Sequence, residues 1–139
     1  MNRGLSLVLV RMGGRPCAIP CSQVVEIVPR VNLDLVPDAP AAVLGVMNLR
    51  GKVIPVMDVR GHVSGRPTQG QSYQHLVVVQ SGAKQVGLVV DDVHDVLEVG
   101  EQDIERPGEL TGVKSPGVVR VESDMVLVIS PEDIIHAAG

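Results

Sequence analysis

The chain has 139 residues, a length suited to one compact domain that buries roughly two-thirds of its unfolded surface. Its hydrophobic content, 45 %, is carried by 28 valines, with one tyrosine and no phenylalanine or tryptophan, and its net charge is −4. That balance speaks against a general nucleic-acid binder, which needs positive charge or stacking faces, and no apolar run nears the ~20 residues of a membrane-spanning helix.

Valine loses side-chain freedom in a helix and packs well on a pleated sheet, so the composition predicts an all-β or mainly β fold. Residues 5–10 read as the first strand. Arg11 and Met12-Gly13-Gly14 interrupt it without a cleavage-site pattern, so it is not read as a signal peptide, and a cytoplasmic location is the expectation. Gly13 supplies a hairpin turn. Cys17 and Cys21, with no second pair nearby, read as small buried hydrophobes rather than a redox or metal site. Ser22 is a good helix N-cap, and the apolar residues 24–28 that follow suit one helical turn or a strand.

Residues 46–49 and 53–56 form a predicted hairpin with the polar cluster Asn48-Leu49-Arg50-Gly51-Lys52 at its tip. Gly51 provides the positive φ that a tight tip can require. Pro55 lacks an N–H, which predicts an edge or bulged strand. Arg50 would project from the rim, where its guanidinium can grip a partner carboxylate or backbone carbonyls; an ordinary solvated turn arginine is the plainer alternative. Residues 61–75 read as a polar loop. Residues 77–97 bring further strands, and Asp91 stands as a second N-cap. Segment 100–117 is rich in glycine and proline, with Glu101, Asp103, Glu105 and Glu109 along it. A hairpin of 118–121 against 125–129 follows. Ser130-Pro131-Glu132-Asp133 then opens a short terminal helix, with the serine capping, the proline in the first turn and the acids at the positive end of the dipole.

A repeat organises these elements. At a shift of 69 positions, residues 8–28 lie over 77–97 without a gap: Val8, Val10, Gly13 and Val24 meet Val77, Val79, Gly82 and Val93, and Ser22 meets Asp91. At a shift of 72, residues 44–59 lie over 116–131. The two halves are therefore expected to form two small β-barrels of one design sharing a core, one lobed domain over residues 1–139, with a groove between lobes where a partner can dock. Residues 1–70 hold eight Lys/Arg and four Asp/Glu, whereas 71–139 hold four and twelve. Lobes built from these halves would have a basic end and an acidic end suited to head-to-tail contact.

Catalytic and metal chemistry find little support. Gly45 to Gly51-Lys52 is one residue too long for a phosphate loop and is followed by Val53 rather than Ser/Thr. Asp91, His94 and Asp95 would share a face only if helical, and no second cluster supplies further ligands. No enzyme, cofactor or metal is predicted; a hydrolase using the acids of 91–109 ranks last.

Residues 36–60, VPDAPAAVLGVMNLRGKVIPVMDVR, resemble the signature of CheW-like chemotaxis coupling proteins, a Pro-x-Ala-Pro run followed by Gly-Val-x-Asn-Leu-Arg-Gly and Pro-Val-x-Asp-Leu. Ala18-Ile19-Pro20, the run 24–28 and residues 86–93 extend the resemblance along nearly the whole chain. It implies two five-stranded SH3-like barrels and a non-enzymatic adaptor that couples a CheA-type histidine kinase, through its regulatory domain, to the cytoplasmic tips of chemoreceptors. Ring assembly with the kinase or with itself would follow. By motif position it assigns Gly45 and Arg50 to receptor and kinase coupling and Val24 to an apolar place near the receptor. Asn48 and Asp58 belong to the motif as contact or structural residues. The alternative is a small-ligand sensor holding an apolar molecule in the groove between barrels.

Overall fold

A computed structural model describes residues 4–68, 72–106 and 117–138. The described residues contain ten strands: β1 (Gly4–Met12), β2 (Arg15–Pro20), β3 (Val24–Pro29), β4 (Val43–Leu49), β5 (Lys52–Met57), β6 (His75–Ser81), β7 (Lys84–Val90), β8 (Asp92–Gly100), β9 (Gly117–Val121) and β10 (Asp124–Val128). Among the described residues two short helices, α1 (Arg60–Ser64) and α2 (Pro131–Ala138), each follow the second strand of a hairpin. The segments after Ser22 and Asp91 both continue as strands, with one 3-10 turn at Cys21–Gln23. Part of 61–75, expected to be loop, is α1, and residues 107–116 of the acidic segment lie outside the described residues.

The strands form two five-stranded sheets, ordered β8-β1-β2-β10-β9 and β3-β6-β7-β5-β4, two SH3-like barrels. This order corrects the expectation of one barrel per half. The first barrel takes β1 and β2 from the N-terminal half and β8, β9 and β10 from the C-terminal half; the second takes β6 and β7 with β3, β4 and β5. Each repeat thus keeps its first hairpin in one barrel and sends its last three strands to the other. A basic half and an acidic half therefore do not map onto separate lobes.

The repeat holds at the level of register. In the first barrel Leu9 pairs with Asp95 and Val10 with Val93, leaving His94 as a bulge. In the second, Val78 pairs with Glu26 and Val79 with Val24, leaving Val25 as the matching bulge. Isolated two-residue bridges, Asp34 with Val46 and Glu105 with Val118, then cover the outer edges of β4 and β9 alike.

Strand alternation explains the valine runs. On β1 and β2, Val8, Val10, Met12, Cys17 and Ile19 face a central core, while Leu7 and Ala18 face the first barrel's interior. On β6 and β7, Val77, Val79, Leu88 and Val90 join the central core, while Leu76, Val78 and Val89 fill the second barrel. Strands buried on both faces need apolar residues at consecutive positions. Ile134 and Ile135 of α2 cap the central core.

Candidate functional site: the β4–β5 tip

Leu49 pairs with Lys52, so the β4–β5 hairpin turns on two residues, Arg50 and Gly51. Both have positive φ, +51° and +86°, the combination a two-residue primed turn demands. Glycine adopts it freely, whereas arginine is strained there by about 1 kcal/mol. Asn48 supports the turn: the Gly51 N–H donates to Asn48 Oδ1 at 2.8 Å.

Arg50 does not stand free at the rim. Its Nη1 donates to Glu26 Oε1 at 2.5 Å, tying the tip to β3, the strand at the opposite edge of the same sheet. The pairing and then the charge of Glu26 raise the Arg50 pKa above its ordinary value. The Arg50 side chain remains 73 % exposed, so it presents its other nitrogens outward. Val24, one pair along from Glu26, packs against the central core and is half-buried. Val25 and Ile27 on β3 and Val53 on β5 leave apolar side chains exposed.

Gly45 has a different part. A Cβ there would lie 2.5 Å from the carbonyl oxygen of Asp34, where the covering bridge crosses β4. Gly117, its counterpart in the repeat, lies under the equivalent bridge, and a Cβ there would meet Ile104 at 2.4 Å. The same need at both places gives Gly45 a packing reason independent of any partner.

Asp58 lies away from the tip contact and holds Arg60. The Arg60 Nε and Nη2 donate to the two Asp58 oxygens at 3.0 Å each, and the Arg60 N–H donates to Oδ1 at 3.1 Å. Arg60 Nη1 donates to Asp91 Oδ1 at 2.6 Å and to the carbonyl of Ser72 at 3.0 Å. Asp91 in turn accepts the Gly14 N–H at 2.8 Å. A guanidinium only 1 % exposed thereby links the β5–α1 junction of the second barrel to the β1–β2 turn of the first. Burial alone would lower the Arg60 pKa, but hydrogen bonds and charge from Asp58 and Asp91 together hold it above its ordinary value. Burial likewise pushes Asp91 up, and Arg60 with the Gly14 and Gly13 amides outweighs it, leaving the carboxyl below its usual value.

Sequence reasoning gave Arg60 no role and made Asp91 a helix N-cap. Its partner is 31 residues away, and the charge pattern around Arg60 resembles any strand end. The helical face of Asp91, His94 and Asp95 does not form, because His94 and Asp95 lie on β8. Among the described residues no group of three or more His, Cys, Asp or Glu is placed to hold a metal ion. Cys17 and Cys21 are free thiols; burial above all, with Asp91 adding and Arg15 opposing, pushes Cys17 up to about 12. No described helix is long and apolar enough to cross a membrane.

Comparison with known proteins bears on the family and the overall fold. The chain is 29 % identical over 137 residues to a chemotaxis protein CheW of Rhizobium meliloti, covering 96 % of this chain and 88 % of that one. It is 26 % identical over 139 residues to the CheW of Bacillus subtilis, covering 97 % and 89 %. The crystal structure of the scaffolding protein TtCheW from Thermoanaerobacter tengcongensis superposes with a TM-score of 0.82 at 26 % identity, over 95 % of this chain and 88 % of that one. The CheW-like domain model matches residues 6–139, and the chain belongs to that family.

Proposed function

We propose that the chain is a non-enzymatic, cytoplasmic signalling adaptor that couples a CheA-type histidine kinase to chemoreceptors by protein–protein contact. The β4–β5 tip carries this reading. Its Arg50 is exposed, strained and clamped to β3 by Glu26, and exposed apolar residues lie on the strands that the clamp joins. A rigid arginine beside apolar surface is a common anchor at protein interfaces. Val24 and Glu26 contribute through β3, Asn48 through the turn, and Gly45 and Asp58 by holding the backbone. The space between barrels is filled by the central core, which counts against a ligand-sensor role.

The test is binding of the purified chain to a kinase regulatory domain and to receptor cytoplasmic tips, wild type against Arg50→Glu. Wild-type binding of both is expected, weakened by Arg50→Glu in a variant that still folds and melts within a few degrees of wild type. A well-folded wild type that binds neither would contradict the adaptor role.

A further inference from the structure

Divided between α1 and β6, the chain falls into two halves, and neither contains a whole sheet. Among the described residues, four of the eight strand pairings join one half to the other: β1 with β8, β2 with β10, β3 with β6 and β5 with β7. The other four are hairpins within a half. The pairing between halves is the same in both directions. Val128 meets Ala18 in the parallel ladder of the first barrel where Val56 meets Gly87 in that of the second. The first ladder begins one pair sooner, at Leu127 and Cys17; Pro55 stands at the place of Leu127 and has no N–H to donate. At the tips the repeats part: Arg50, with a φ of +51°, has Glu122, with a φ of +57°, as its counterpart. Two repeats that trade strands in this way pair as the two chains of an exchanged dimer would.

One covalent connection, residues 65–74, runs between the halves. It is held at several points. Gly65 closes α1 in the left-handed region, with a φ of +75°. Arg60 Nη2 donates to the carbonyl of Thr68 at 3.4 Å, and Nη1 to that of Ser72 at 3.0 Å. The Tyr73 ring lies against two arginines, its centroid 6.0 Å from the guanidinium carbon of Arg60 and 4.7 Å from that of Arg30. The Arg30 N–H donates to the carbonyl of Gln74 at 3.0 Å. One guanidinium thus holds both arms of the connection, so the chain turns back and enters β6 of its own molecule.

We infer that two copies of the chain exchange halves, each completing both sheets of the other, and that Arg60 holds the chain in its closed path against this exchange. Every strand pairing between halves is kept in the exchanged dimer, made with the partner instead. The two forms therefore differ at the connection and in the entropy of association. In the closed form the connection keeps the halves at high effective concentration, so exchange gains ground only as protein concentration rises. To cross to the partner, the connection leaves the Arg60 guanidinium at one carbonyl or the other. Glu26 and Arg50 both lie in the first half, so each β4–β5 tip keeps its clamp. The dimer carries two such tips and is a bivalent binder. No exposed face of the closed molecule takes part. The inference goes beyond the adaptor reading and uses neither kinase nor receptor, so each can fail without the other.

A disulfide across β1 and β8 reads which chain each half belongs to. Ser6 pairs directly with Glu98, and direct partners on neighbouring strands lie within disulfide reach. The protein carries Ser6→Cys/Glu98→Cys, with Cys21→Ala to leave only the buried Cys17 thiol besides the new pair. The bond closes within one chain in the closed form and between chains in the exchanged dimer. The reduced protein is unfolded in urea, refolded at low or high protein concentration, diluted, and only then oxidised. A denaturing gel without reductant measures the linked fraction, which should rise with the concentration during refolding. Adding Arg60→Lys, which keeps the charge and loses the fork, should raise that fraction about tenfold where linkage is otherwise slight. Thermal melting verifies that this variant folds, and the concentration dependence without it is a separate test. Chains linked only within themselves at every concentration, or a folded Arg60→Lys protein linked no more than its parent, would overturn the inference.

Discussion

The two barrels agree in register down to a bulged residue, a crossing glycine and a covering bridge. They differ at the hairpin tips, at the start of the parallel ladder and in the helix that follows it. What both copies keep is what the fold requires. What they do not share is not needed to build a barrel, so these differences are the places to look for function and for whatever joins the barrels.

The largest contrast concerns the helices. Arg60 opens α1 as a buried ligand of Asp58 and Asp91, whereas its repeat counterpart Glu132 is exposed in the first turn of α2. Arg60→Met removes the cation from two carboxylates and should cost about 3 kcal/mol, while Glu132→Gln should stay within about 0.5 kcal/mol. Thermal melting distinguishes them, with a drop of roughly 10 °C expected for the first. Equal losses would erase the contrast.

Next in size are the crossing glycines. Gly45→Ala drives a Cβ onto a backbone carbonyl and should cost about 2 kcal/mol. Gly117→Ala meets mainly the Ile104 side chain, which can turn aside, so about 1 kcal/mol is expected. Partner binding by Gly45→Ala should fall only as the folded fraction falls. A fully folded Gly45→Ala protein that no longer binds would instead make Gly45 a contact.

The acid limb sharpens the same comparison. Asp91 has a folded pKa below its ordinary 3.8, so its stabilising effect is present above that value and is lost as pH falls through the lower folded one. Asp91→Asn should be less stable than wild type at neutral pH and converge with it at the acid extreme, whereas Ser22→Ala, at the exposed repeat counterpart, should run parallel to wild type. Denaturant titrations across pH read both. Smaller again, Asn48→Ala leaves the exposed Gly51 N–H to water and should cost about 1 kcal/mol.

The sequence made the strands and turns legible because valine runs, Gly13, Gly51 and Gly82, and the Ser130-Pro131 start of α2 are local signals. The repeat was legible too, even to the alignment of His94 with Val25. Which barrel each strand would join was not. A repeat in sequence says that two units are alike, and an exchange of strands between them preserves every local pattern. The Arg60 network was hidden because only Asp58 lies near it in sequence, while Ser72 and Asp91 reach it from elsewhere in the fold. Arg50 was singled out by its motif, but its clamp on Glu26 depends on barrel closure, which spacing does not encode.

The most direct test of the central claim, that barrels alike in fold differ in function at their tips, is receptor-tip binding by Arg50→Glu and by Glu122→Arg, measured side by side. Both positions are exposed and both variants should fold, Glu122→Arg melting with wild type and Arg50→Glu only a few degrees below it because it loses the exposed pair with Glu26. Weakened binding by Arg50→Glu with wild-type binding by Glu122→Arg is the predicted result. Equal binding by the two variants, whether both retained or both lost, would contradict it.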